Sequence, residues 1–170
     1  IANINANRDT TALFFPAGRY IVSEQIIIPA KGEGRLTLVG LGSASIVASS
    51  NFPEDTYILK ITTDSYNGNN FRIDGMSLYG NYKCSGLDIR YAQEWALHNF
   101  NIWSCRTGLS LNDTYYGGFS GTSSIRNCLV GVQFGDRTIK AYEKDRGEVN
   151  TIDFSNLKLN FGVSKTLFYA

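Results

Sequence analysis

Several things that would point elsewhere are scarce in this sequence. Proline occurs 3 times in 170 residues, and histidine and methionine once each. Charged residues make up 18% and the net charge is +1, so neither nucleic acid nor an anionic membrane is expected as a partner. No run of about eighteen apolar residues offers a membrane-spanning helix. No window carries a long helical period capped at both ends, which argues against a helical bundle. The cysteines number 3, an odd count that does not close a disulfide framework. No histidine lies near them in sequence, and no Ser-His-Asp order appears, so neither a metal nor a cofactor is expected.

The residues that are abundant favour strands. Apolar residues make up 43%, aromatics 13%, and glycine occurs 17 times. That suffices for one domain with a real core, and the Tyr, Phe, Ile, Val and Thr content suits pleated surfaces. Three short segments follow a glycine: Gly86-Leu87-Asp88-Ile89, Gly108-Leu109-Ser110-Leu111 and Gly131-Val132-Gln133-Phe134. Their glycines are 22 and 23 residues apart. Apolar and polar residues alternate in each, as in a half-buried strand. Thr166-Leu167-Phe168-Tyr169 is a weaker copy.

A second series reads apolar, any, Gly or Asn, apolar. Its copies are Ile73-Asp74-Gly75-Met76, Leu97-His98-Asn99-Phe100, Ile125-Arg126-Asn127-Cys128 and Phe154-Ser155-Asn156-Leu157. Gly and Asn tolerate the left-handed conformation, so a bend repeated once per coil is expected there, with Asn side chains able to stack. Cys84, Cys105 and Cys128 form a third series, each just before a repeat glycine. They read as buried, stacked thiols acting as small hydrophobes. Free thiols suit assembly in a reducing compartment.

Three series in step, at this period, predict an all-β chain: a right-handed parallel β-helix, or β-solenoid, of about 22–28 residues per coil. The Leu-x-x-Leu-x-Leu signature of leucine-rich repeats is absent. A β-sandwich would not place three series in register. The whole chain reads as one β-helix segment. Residues 1–12 stand where a cap would be, residues 13–47 form the first coil, and residues 48–170 form further coils. The segment Leu167-Phe168-Tyr169-Ala170 falls within a repeat strand, so the chain is expected to be part of a longer helix that would associate or unfold if left bare.

The most specific stretch lies near the start. Phe15-Pro16-Ala17-Gly18-Arg19-Tyr20 reads as a turn between short strands, with Gly18 supplying positive φ. Gln25-Ile26-Ile27-Ile28-Pro29 follows, then a polar turn at 31–35, then Leu36-Thr37-Leu38-Val39-Gly40-Leu41-Gly42 and Ser45-Ile46-Val47. The Gly40-Leu41-Gly42 run has a superficial likeness to a dinucleotide fingerprint, but no helical pattern follows it, and a strand turn is expected instead. Together these runs resemble the opening coil of the pectate-lyase-like superfamily. They are most similar to the version found in phage tailspikes and related polysaccharide depolymerases. The resemblance covers most of the chain, but of the amphipathic capping helix that usually precedes the motif only Ile4-Asn5-Ala6 is a candidate remnant.

Three polar segments leave successive coils just after the Gly-led strand: Arg90–Trp95, Asn112–Thr122 and Gly135–Asn150. Stacking would set them side by side as one wall. Arg90, Tyr91, Trp95, Tyr115, Tyr116 and Tyr142 are the expected substrate-binding residues, because rings stack on pyranose faces and polar groups take the hydroxyls. Asp113 and Asp136 each lie five residues after a repeat glycine, and Glu94 lies one coil earlier. Two close carboxylates split into an acid and a base, which glycoside hydrolysis requires. These three are the expected catalytic residues, although an Asx turn at each strand end is the commoner reason for the two aspartates. A separate column of Asp74, His98, Arg126 and Ser155 would offer a lyase its base and cation.

The resemblance implies a tailspike-like depolymerase: a homotrimer on the phage virion that binds and cleaves a bacterial surface polysaccharide, by hydrolysis before elimination. A non-catalytic glycan-binding or structural module is the second expectation. A secreted bacterial enzyme of the pectate-lyase-like kind is the third.

Overall fold

The computed structural model describes residues 11–30, 36–63, 70–135, 149–160 and 166–169. Among the described residues the chain is all-β, with no helix and with every strand pairing parallel. The strands join two curled sheets of 10 and 6 strands. The larger sheet is two ladders joined by a bend, because its long strands β4 (Leu36–Ala48) and β6 (Phe71–Tyr79) run through both.

Ladder one stacks β1 (Thr11–Phe15), the first halves of β4 and β6, β8 (Ala96–His98), β11 (Thr114–Ser120) and β14 (Val149–Asp153). Ladder two stacks β2 (Gly18–Val22), the second halves of β4 and β6, β9 (Asn101–Trp103), β12 (Ser123–Arg126) and β15 (Leu157–Asn160). Ladder three is the smaller sheet: β3 (Ile26–Ala30), β5 (Tyr57–Thr63), β7 (Ser85–Arg90), β10 (Thr107–Asn112), β13 (Val130–Phe134) and β16 (Thr166–Tyr169).

Ladder three carries the glycine repeat in the expected register. Ile26, Leu59, Leu87, Leu109 and Val132 are mutual neighbours, and so are Ile28, Ile61, Ile89 and Leu111. From the second repeat onward these side chains are buried. The period of two along each strand sends alternate residues inward. Ladder one contributes Leu38, Ile73, Leu97 and Phe119, and ladder two Ile46, Leu78, Ile102 and Ile125, to the same core. Each such side chain contributes roughly 1.5–3 kcal/mol by leaving water.

The bends repeat as well, but the second series of the sequence mixes two of them. Gly75, Asn99 and Gly121 occupy one bend between ladders one and two, at φ of 67°, 48° and 64°. Phe154-Ser155-Asn156 continues that register, since Asp153 pairs with Gly118. Ile125-Arg126-Asn127-Cys128 does not: Ile125 pairs with Ile102, so Asn127 (φ 54°) shares the following bend with Ser104 (φ 53°). Local pattern could not separate the bends, because both require a left-handed residue two positions after an inward apolar one. His98 and Arg126 therefore stand in different columns, with His98 beside Ser120 and Arg126 beside Trp103. Asn99 does not stack on another asparagine; its Oδ1 accepts from the Thr122 amide at 3.0 Å and hydroxyl at 3.2 Å.

At Pro16-Ala17-Gly18 the chain turns between β1 and β2, and the Tyr20 hydroxyl donates to the Pro16 carbonyl at 2.8 Å. Gly40-Leu41-Gly42 lies inside β4 as a register shift between Val39 and Ala44, with Gly42 at φ 74°. No helix follows, which removes the dinucleotide likeness. A Cβ on Gly40 would run into the Gly75 carbonyl of the next repeat.

Cys84, Cys105 and Cys128 are free and buried, as expected. Burial pushes the Cys84 thiol up to about 11. A hydrogen bond with Cys128, together with burial, raises Cys105 well above the usual thiol value.

Candidate functional site

The structure rearranges the expected wall. Asn112–Thr122 is not a loop, because Thr114–Ser120 is strand β11, paired with β8 and β14. Trp95 is only 2% exposed, which corrects its expected role as a sugar platform. Its ring stacks on Phe71 at 6.3 Å and meets Phe119 edge-on at 5.9 Å. Phe119 is itself buried and continues the row to Phe154. Gly117 makes this possible, because a Cβ there would sit inside the Trp95 ring. Trp95 and Gly117 come from successive repeats, a pairing that spacing within one segment does not reveal.

Arg90 is also not free for a ligand. Its Nε donates to Asp88 Oδ2 at 2.7 Å. Asp88 Oδ1 accepts from Asn112 Nδ2 at 2.9 Å, and the same amide donates to Ser110 Oγ at 3.0 Å. Asp88, Ser110 and Asn112 are all buried. This outward face of ladder three is a closed polar network, satisfied but for Asn112 Oδ1.

The carboxylates fare differently from one another. Asp113 is 2% exposed and left-handed at φ 48°, stacked beside Tyr91 at φ 57°. That suits the strand-end turn, since Asp tolerates this conformation. Glu94 is exposed and left-handed, in one column with Tyr116 and Thr151, at φ of 52°, 50° and 55°. Tyr91 and Tyr115 are half-buried and Tyr116 is 63% exposed. Asp136 and Tyr142 lie outside the described residues.

Among the described residues a concavity lies on ladder two instead. A groove of about 700 Å³ runs across its outer surface. Its floor is built from outward positions of successive repeats. One column is Arg19, Ser45, Ser77 and Asn101, and the next is Val47, Tyr79 and Trp103; buried Ser124 and exposed Arg126 continue the two columns beyond the lining. The bend residues Gly42, Gly75, Asn99 and Thr122 form one side. Ser124 Oγ donates to Asn101 Oδ1 at 2.6 Å. Trp103 is 43% exposed and neighbours Tyr79, and the Arg126 guanidinium lies 5.9 Å from its ring centre. Hydroxyls, amides and an exposed indole thus share one trough, and among the described residues no carboxylate lines it.

Sequence reasoning missed this site. Tyr79, Trp103 and Asn101 belong to no glycine-led strand and sit in no variable segment. The available signal was the alternation in Ser77-Leu78-Tyr79 and Asn101-Ile102-Trp103, which sends an aromatic outward in two successive repeats.

Comparison with protein-family models, with curated proteins and with solved structures finds no match to this chain.

Proposed function

We propose that this chain winds as a right-handed parallel β-helix that binds polysaccharide along the ladder-two groove. The parallel ladders and the in-register glycine repeat support the winding. The observation that carries the binding reading is the outward pair Tyr79 and Trp103 beside the Ser45, Ser77 and Asn101 column. Rings of this kind cover the apolar face of a pyranose, while the polar column takes its hydroxyls. The reading is tested by titrating the protein with bacterial capsular and O-antigen polysaccharides. Saturable binding that Trp103→Ala weakens at least about tenfold is expected; binding unchanged in that variant would remove the groove from the role.

A second reading adds cleavage, as in the tailspike-like depolymerases that the sequence resembles. It is favoured by Glu94, an exposed carboxylate three residues beyond Tyr91, whose stacked neighbour is Asp113. In this reading Glu94, Asp113 and Asp136 supply the acid and base, and the setting is a homotrimer on a phage tail. A reducing-end assay decides it: loss of turnover in Asp113→Asn or Glu94→Gln supports hydrolysis. Unsaturated products would instead favour elimination, as in a secreted pectate-lyase-like enzyme.

A further inference from the structure

The charges around the groove carry a second message. The described residues include five arginines: Arg19, Arg72, Arg90, Arg106 and Arg126. Three of them pair with aspartates, Arg72 with Asp74 at 2.9 Å, Arg90 with Asp88 at 2.7 Å and Arg106 with Asp55 at 2.7 Å. Arg19 and Arg126 have no carboxylate partner among the described residues, and both stand at the groove. Arg19 lines it, and Arg126 lies over Trp103, which also lines it. Lys158 is exposed and extends the polar column past Ser124. The net charge of the chain is only +1, so this concentration does not follow from a basic composition.

The placement is specific. Arg19 and Ser124 are four ladder steps apart, about 19 Å at strand spacing, and Arg126 belongs to the same strand as Ser124. The two guanidinium groups therefore mark opposite ends of the trough. An arginine resting on an indole keeps its in-plane N–H donors turned outward, where they can take an oxyanion in bidentate fashion.

We propose that the groove selects an anionic glycan, with Arg19 and Arg126 each receiving an acidic group of the bound chain. The inference rests on the glycan-binding reading of this groove and narrows it to sugars bearing carboxylate, sulfate or phosphate. Between the arginines, the Ser45, Ser77 and Asn101 column takes hydroxyls and Trp103 takes a ring face.

The test is calorimetric titration with oligogalacturonate, with a sulfated dextran oligosaccharide and with neutral maltohexaose, each at low and high salt. The expected result is binding of an anionic oligosaccharide at least about tenfold tighter than the neutral one, with the preference shrinking as salt rises. Arg19→Gln and Arg126→Gln each lower only the anionic affinity. Lys60→Gln, on the outward face of ladder three, leaves it unchanged, and Trp103→Ala weakens both ligand types. A stronger response to galacturonate than to the sulfated chain assigns the sites to carboxylate, and the reverse assigns them to sulfate or phosphate esters. Equal affinity for neutral and anionic chains overturns the charge inference and leaves the glycan reading standing. No binding to any of the three overturns both. Anionic binding that Lys60→Gln weakens as much as Arg126→Gln is general charge attraction and overturns the inference.

Discussion

Ladders two and three both alternate inward apolar and outward polar residues, yet their outer faces behave oppositely. On ladder three the outward Asp88, Ser110 and Asn112 are buried and bonded to one another. On ladder two the outward Tyr79, Asn101, Trp103 and Arg126 line or border an open groove. A polar column can therefore serve the fold or a ligand. What decides is whether its groups are already satisfied, because a buried polar group without a partner costs more than a made hydrogen bond returns. The two tryptophans repeat the contrast: Trp95 is 2% exposed and Trp103 43%.

Replacing each tryptophan with alanine should separate the roles most sharply. Trp95→Ala leaves a hole between Phe71 and Phe119 and should cost about 3–5 kcal/mol in urea unfolding. Trp103→Ala should move the same midpoint by less than about 1 kcal/mol while weakening glycan binding. Equal losses of stability would erase the distinction between the buried and the exposed tryptophan.

Next in size is the ion pair on ladder three. Asp88→Ala removes the acceptor of both Arg90 and Asn112 and should cost about 3 kcal/mol. Asp55→Ala breaks the pair with Arg106, whose aspartate is 90% exposed, and should cost less than about 1 kcal/mol. Thermal melts of the two variants side by side make the comparison.

The smallest effect is alkaline. Folding raises the Cys84 thiol from 9.0 to about 11, so the folded state holds its proton after the unfolded chain has lost it. Its contribution is complete below about pH 9 and fades up to about pH 11, at a slope approaching 1.4 kcal/mol per unit. Denaturation between those limits should show a steeper loss in the parent than in Cys84→Ala. Matching slopes would mean that burial of this thiol is incomplete.

Much of the fold was legible because stacking copies one register from repeat to repeat. The glycine-led strands announced ladder three and its core, and the cysteine spacing announced the buried thiols. The bends were only half legible: Asn99 and Asn127 look alike locally but turn different corners. The candidate site was less legible still. Arg90, Asp113 and Trp95 have the composition of a binding surface, yet Arg90 is held by Asp88 of its own strand, and the environment of Asp113 and Trp95 comes from Tyr91 and Gly117 in neighbouring repeats. Conversely, Tyr79 and Trp103 look ordinary in sequence and gain their meaning only side by side.

The sequence alone determined the β character, the glycine-led repeat and its register, the inward apolar positions and some of the left-handed residues at the bends. Each of these follows from the pleat period or from backbone sterics, which act within a few residues. The tertiary structure decided which outward residues are open. Exposure depends on what the next repeat places about 4.8 Å away. That neighbour buried Trp95 against Gly117 and bonded Asn112 to Asp88, and it left Trp103 and Arg126 at the edge of a groove.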